Sequence, residues 1–112
     1  MLQVFLGLLA GHLVADFPLQ GDTTALQKNH RTRNALSAAV PWYYWMTAHA
    51  AAHGLAVWLV TRSLPLAVAE TAAHWAIDAA KCEGWFNIHV DQALHVACKI
   101  AWAGVLALSA AR

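Results

Sequence analysis

Four apolar segments of the chain each carry one pair of histidine or aspartate residues spaced four positions apart. The pairs lie in HLVAD at 12–16, HAAAH at 49–53, HWAID at 74–78 and DQALH at 91–95. Residues i and i+4 are neighbours on a helix, with Cβ atoms about 5 to 6 Å apart, so each pair presents two side chains in one direction. Neutral imidazoles and carboxylates bind Zn²⁺, Mn²⁺ or Fe²⁺. The pattern therefore predicts a metal centre, with enough ligands for two ions.

We expect all four segments to supply ligands or a general base to this centre. The predicted metal ligands are His12, Asp16, His49, His74, Asp78, Asp91 and His95. The predicted catalytic residues are Asp16, Asp78, Lys81 and Asp91, and the predicted substrate contacts are Gln20, Lys81 and Gln92. A divalent ion lowers the pKa of bound water and polarises phosphoryl or carbonyl oxygens, and Lys81 would neutralise the developing negative charge. This chemistry is that of a metal-dependent hydrolase.

A structural explanation competes with this interpretation. A single pair of this kind more often forms an interhelical hydrogen bond or ion pair than a ligand set. Four pairs favour a functional site, because an ionisable residue at the centre of a membrane helix costs about 2.5 to 3.5 kcal/mol on insertion scales. Glu70, Lys99 and Trp102 lie on or beside the same helix faces and extend the polar set.

Composition indicates a membrane protein of one domain. The 112 residues are 60% hydrophobic and only 12% charged, and the mean hydropathy is +0.46. A soluble domain has about 25% charged residues. The formal net charge of +1 gives no electrostatic basis for nucleic-acid binding, so no nucleic-acid partner is expected.

The predicted fold class is an all-α, four-helix transmembrane bundle with a buried His/Asp cluster, formed by residues 1–112 as a single domain. The expected spans are about 2–17, 37–61, 64–81 and 88–110. Pro18 ends the first span, and Pro41 is expected in the first turn of the second, which Ser37 would cap. The polar stretch 18–36 is expected to be a loop containing a short interfacial helix.

The first span is expected to be retained, because His12 and Asp16 interrupt it where a cleaved signal peptide would be uniformly apolar. Basic residues set the orientation of a membrane protein. The first and third connections hold Lys28, Arg31, Arg33 and Lys81, whereas the other side has Arg62 and Arg112. This distribution predicts a cytoplasmic first loop.

The motifs HLVADFPLQ, LQKN, HWAIDAAK and DQALH together resemble a family of small bacterial and phage integral membrane proteins of unknown function. The residues that match its pattern are His12, Asp16, Phe17, Leu19, Gln20, Lys28, Asn29, His74, Asp78, Lys81, Asp91, Gln92 and His95. His49 matches a histidine of the family's second span, whereas His53 has no clear counterpart. The chain is also loosely similar to metal-dependent hydrolases of the inner membrane. The resemblance implies a multi-pass protein of the bacterial inner membrane.

Our leading hypothesis is a hydrolase that uses divalent metal, Zn, Mn or Fe, on an amphipathic or phosphate-bearing substrate at the cytoplasmic leaflet. Three alternatives stay open: a proton or divalent-ion relay, a haem-binding cytochrome, and a non-enzymatic module that binds another membrane protein. The expected partners are the lipid bilayer and a small phosphate-bearing or lipid substrate. A bundle of this size is compatible with a homo-oligomer, which no residue specifies.

Overall fold

Four long helices build the molecule, and two short ones lie between the first and second of them. The computed structural model describes residues 1–112 and contains no strands. The helices are α1 (Leu2–Asp16), α2 (Gly21–Gln27), α3 (Ala35–Ala39), α4 (Trp42–Thr61), α5 (Leu64–Cys82) and α6 (Ile88–Ala110). The long helices pack as a ring in the order α1, α4, α5, α6, and α2 packs against α4.

Local sequence fixes where the long helices begin. The side chain of Ser63 accepts a hydrogen bond from the backbone of Leu66 at the start of α5, where Pro65 occupies the first turn. Asn87 caps α6 in the same way by accepting from the backbone of Val90. The tight connection from α4 to α5 uses Arg62 in the left-handed conformation, with φ of 55°. These ends set the positions of the histidine and aspartate residues along α5 and α6.

The expected second span, 37–61, is interrupted in the structure. Ser37 does not cap it, because Asn34 caps the short helix α3 and accepts a hydrogen bond from the backbone of Ser37. Val40 is extended, with φ of −126° and ψ of 116°, and α4 begins after Pro41. A residue before proline is displaced from the helical region by the proline ring, which explains the break. The short helix expected in the polar stretch is present as α2.

The interior of the bundle is more polar than its exterior. Of the 21 buried residues, 12 are polar or charged. Large apolar side chains instead point outward from the long helices; Leu6, Leu59, Val68 and Ile100 are examples. Water-soluble proteins show the opposite preference, with charged residues almost never fully buried unless paired.

Only one helix, α6, combines the length and the hydropathy needed to cross a membrane. Helices α1 and α2 satisfy the same criterion only when taken together, and they are bent by 84°. This criterion therefore does not support the four expected spans. Helix α1 is too short, with 15 residues, whereas His49 and His53 lower the hydropathy of α4, and Glu70, Asp78 and Lys81 bring charge to α5.

Candidate metal centre

The paired residues of all four long helices meet inside the bundle, at the end where α1 and α5 finish and α4 and α6 begin. The eight residues of this metal cluster, as we call it, are at most 8% exposed: His12, Asp16, His49, His53, His74, Asp78, Asp91 and His95. Each of the five imidazoles turns its Nε2 atom towards a carboxylate of the cluster. The spacing of four residues explains this convergence, because it places both members of each pair on the same helix face.

One half of the cluster is centred on Asp16. Its Oδ1 atom lies 3.2 Å from Nε2 of His49, 3.4 Å from Nε2 of His53 and 3.9 Å from Nε2 of His74. The potential ligand atoms of these four residues all lie within 4.8 Å of one another. Three imidazoles and one carboxylate make a four-ligand set of the kind that binds Zn²⁺.

The other half is centred on Asp78. Nε2 of His95 lies 3.1 Å from Oδ1 of Asp78 and 3.4 Å from Oδ1 of Asp91. These three residues form a second group of potential ligands, and His12, His74 and His95 form a third. The third group shares His74 with the half around Asp16 and His95 with the half around Asp78. The two halves are therefore adjacent. The cluster can therefore hold a metal ion.

Several buried polar atoms of the cluster lack a hydrogen bond. Neither ring nitrogen of His53 makes a hydrogen bond although the residue is only 1% exposed, and Nε2 has Oδ1 of Asp16 at 3.4 Å. The atoms Nδ1 of His74 and Oδ1 of Asp91 are also unpartnered. An unsatisfied buried polar group costs about 1 to 3 kcal/mol. Coordination of a cation by Nε2 of His53 and Oδ1 of Asp91 would remove part of this cost.

Two lysines flank the carboxylates. Nζ of Lys28 lies 2.5 Å from Oδ2 of Asp78, and Nζ of Lys81 lies 3.2 Å from Oδ2 of Asp91. Metal binding requires neutral imidazoles, and in that state the three aspartates and two ammonium groups leave the cluster with one negative charge. A divalent cation is electrostatically favoured in such surroundings, and it would reverse the sign of the local charge.

The predicted substrate contacts have different environments. Gln92 lies within the cluster, where its Nε2 donates to Oδ2 of Asp16 at 2.6 Å and its Oε1 is 3.0 Å from Nε2 of His12. Gln20 instead donates to the backbone carbonyl of Asp16. The side chain of Lys81 is 28% exposed, so it connects the buried cluster with the surroundings.

Comparison with known families assigns the chain. A family model described as "Protein of unknown function (DUF3307)" matches residues 4–111, which include the whole cluster. The chain belongs to the DUF3307 family. No curated protein and no solved structure matches it. The match confirms the resemblance to a family of unknown function.

Two residues of this DUF3307 chain join the cluster although they were not among the predicted ligands or catalytic groups. His53 was recognised as half of the HAAAH pair, and its spacing from His49 was the signal for it. The sequence places Lys28 in a basic loop, but it is only 4% exposed in the structure, where α2 is bent by 84° from α1 and packs against α4. No local pattern indicates this burial.

Proposed function

We propose that this chain is a membrane-embedded, metal-dependent hydrolase that acts on a phosphate-bearing amphiphile. The observation that carries the proposal is the group formed by Asp16, His49, His53 and His74. Three helices contribute its four potential ligands, and neither ring nitrogen of His53 makes a hydrogen bond, although Nε2 lies 3.4 Å from Oδ1 of Asp16. Such an arrangement suits a metal ion better than an internal hydrogen-bond network, which would satisfy its own members.

The donor atoms favour different ions in the two halves. The imidazole-rich group around Asp16 suits Zn²⁺ or Fe²⁺, whereas the group of Asp78, Asp91 and His95 has two carboxylates and suits Mn²⁺ or Fe²⁺. A centre with one ion in each half would fit a hydrolase, since two adjacent ions stabilise both the attacking and the leaving oxygen.

The residues around the ligands support hydrolysis of an anionic substrate. A bound divalent ion would lower the pKa of a water molecule and polarise a phosphoryl oxygen. Oδ1 of Asp91 would bind metal, and Oδ2 of the same carboxylate, beside Lys81, would accept a proton. Lys81, the more exposed of the two lysines at the cluster, would neutralise the charge of the substrate at the entrance.

The distribution of side chains supports a place in the bilayer. Polar residues make up 12 of the 21 buried residues, while many leucine, valine and isoleucine side chains are exposed on the outside, as expected where the surrounding solvent is lipid. The basic connections next to the cluster would face the cytoplasm, which makes this a protein of the bacterial inner membrane with its site at the cytoplasmic leaflet. A substrate at that depth is amphipathic.

Elemental analysis of protein purified in detergent tests the proposal. We expect the wild-type protein to retain Zn, Mn or Fe, and Asp78→Ala and Asp91→Ala to lose it while they remain helical. Asp22→Ala is the matched control, because Asp22 is an exposed carboxylate on α2. Unchanged metal content in both cluster variants would show that the assignment of the metal centre is wrong.

Release of inorganic phosphate from a short-chain lipid phosphate then tests the reaction. We expect wild-type protein loaded with metal to release phosphate and Lys81→Met to do so more slowly at unchanged metal content. A metal-loaded wild-type protein that hydrolyses neither phosphate esters nor carboxylic esters would contradict the assignment as a hydrolase.

A proton relay is the second candidate, because the polar side chains continue beyond the cluster. Nδ1 of His74 lies 3.7 Å from Oε1 of Glu70, which in turn binds Lys99. The path ends at an apolar core of Leu8, Val57, Leu66 and Ala103, which opposes full passage. Proton flux into proteoliposomes that depends on Glu70 would favour the relay over the hydrolase.

A further inference from the structure

A second buried polar layer lies one helical turn from the metal cluster. Its centre is Glu70, which is 1% exposed. Lys99 donates to Oε1 of Glu70 at 2.5 Å, and the indole nitrogen of Trp102 donates to Oε2 at 2.6 Å. The layer lies between the metal cluster and the apolar core, against which Trp102 packs.

Glu70 faces the metal cluster through a single imidazole. Its Oε1 atom lies 3.7 Å from Nδ1 of His74, four residues later on α5. Four cluster histidines have a buried Nδ1 atom without a hydrogen bond: His12, His53, His74 and His95. Of these, only His74 has a carboxylate oxygen beside that atom.

Stability alone does not account for this layer. A buried ion pair contributes little net stability, because removing the two charges from solvent offsets most of their attraction. An apolar pair at positions 70 and 99 would continue the adjoining core of Leu8, Val57, Leu66 and Ala103. The Glu70 carboxylate can accept a hydrogen bond from His74, which an apolar side chain at position 70 could not do.

We propose that Glu70 is a positioning residue that orients His74 for metal binding. A metal-ligating histidine usually donates its second ring N–H to a carboxylate or carbonyl, which fixes the tautomer and makes the ligand more basic. Glu70 would accept from Nδ1 of His74 and so leave Nε2 free for the metal. The inference rests on the proposed function, since it requires that His74 bind a metal ion.

Lys99 and Trp102 hold the carboxylate in place for this role. Trp102 donates a hydrogen bond to Oε2, and Lys99 donates one to Oε1. Oε1 can accept a second hydrogen bond, and Nδ1 of His74 lies beside it. Two donors on opposite oxygens restrict rotation of the carboxylate. The orientation of His74 should affect metal binding strongly, because His74 belongs to two of the three ligand groups.

Titration with Co²⁺ of metal-depleted protein in detergent tests this assignment. We expect Glu70→Gln to weaken Co²⁺ binding about 10- to 100-fold, the usual loss when a partner of a metal ligand is removed. The visible absorption bands of the bound Co²⁺ should also shift, because they depend on the orientation and basicity of the ligands. A purely structural role would lower the unfolding temperature without changing these bands.

Trp102→Phe is the matched control. It removes the hydrogen bond to Oε2 but keeps the carboxylate beside His74, so we expect a lower unfolding temperature with a much smaller loss of Co²⁺ affinity and a smaller spectral shift than in Glu70→Gln. Should Glu70→Gln alone fail to fold because Lys99 is left unpaired, the double variant Glu70→Gln with Lys99→Met removes that charge, and the same criteria apply to it.

Co²⁺ binding and spectra of Glu70→Gln equal to wild type would overturn the inference and leave the metal site intact. Equal weakening by Glu70→Gln and Trp102→Phe would also overturn it, because both would then act through general loss of packing. If the wild-type protein binds no Co²⁺, the proposed function fails first and this inference fails with it.

Discussion

The interior of the bundle has a polar end, which holds the metal cluster, and an apolar end. The same inward faces of the four long helices form both ends. On every long helix, a stripe of residues at intervals of four runs from the polar end to the apolar end. The stripes are Leu8, His12 and Asp16 on α1; His49, His53 and Val57 on α4; Leu66, Glu70, His74 and Asp78 on α5; and Asp91, His95, Lys99 and Ala103 on α6. All of these residues are buried.

The two ends meet separate requirements of the molecule. The spacing of four decides which face turns inward, and it is the same at both ends. The residue type then decides what each end does. At the apolar end the side chains pack against one another. At the polar end, buried atoms of His53 and Asp91 make no hydrogen bond. Stability should therefore depend mainly on the apolar end, and metal binding on the polar end.

The largest expected effect is the loss of metal affinity when His74 is replaced. Replacing it with alanine removes a potential ligand from two groups, so we expect metal affinity to fall more than about 100-fold, beyond the loss of a supporting partner. Isothermal titration with Zn²⁺ measures this change. His89→Ala, which removes an exposed imidazole of α6, should bind as wild type does. Similar affinities for the two variants would contradict the division between the ends.

Leu8→Ala should lower the stability of the protein without changing its affinity for Zn²⁺. The cavity left in the apolar end should reduce the free energy of unfolding by about 2 to 5 kcal/mol, because the surrounding side chains close it only partly. Denaturation of the detergent-solubilised protein measures the loss. The Zn²⁺ affinity of the folded fraction should not change; if it fell as it does in His74→Ala, the two ends would not be independent.

Gly54→Ala should affect both ends through the contact between α4 and α5. A Cβ atom at Gly54 would lie 2.8 Å from the backbone carbonyl of Ala67 and would collide with the side chain of Thr71. We expect a loss of about 1 to 3 kcal/mol of stability from overpacking, together with weaker Zn²⁺ binding because His53 adjoins the displaced backbone.

Gly11→Ala is the control for that variant. Its added Cβ would meet only the side chain of Ala56, at 3.1 Å. Thermal unfolding and Zn²⁺ titration of both variants make the comparison. Equal losses would show that the α4–α5 contact has no special part in joining the two ends.

The smallest effect is expected on the outward face. Leu13 follows His12 directly but is 46% exposed, so it leaves the stripe. Leu13→Ala should alter the free energy of unfolding by no more than about 0.5 kcal/mol and should leave Zn²⁺ binding unchanged. A loss of metal comparable to that in His74→Ala would mean that the inward face has been assigned incorrectly.

The sequence predicts the features that depend on helix periodicity. The i, i+4 pairs indicated which faces would turn inward, and the structure brings His12, His74 and Asp91 to a common place as that pattern requires. Pro18 and Gly84 likewise indicated helix ends. These features are local, because each depends on a few consecutive residues.

Features that depend on the path of the chain were not predictable in this way. The burial of Lys28 accompanies the 84° bend between α1 and α2, where φ of Gly21 is 64°, and no periodic pattern indicates that bend. The break before Trp42 follows from the rule for residues preceding proline, whereas the sequence analysis expects Pro41 in the first turn of a helix capped by Ser37. The number of membrane crossings is obscured by the same buried residues that define the candidate site.

X-ray absorption at the zinc edge of the Zn²⁺-loaded protein tests the central claim most directly, because it reports the atoms around the metal. We predict a first shell of nitrogen and oxygen at about 2.0 to 2.2 Å, with the outer-shell scattering of several imidazole rings. A shell of water oxygens alone, or one containing sulfur from Cys82 or Cys98, would contradict it.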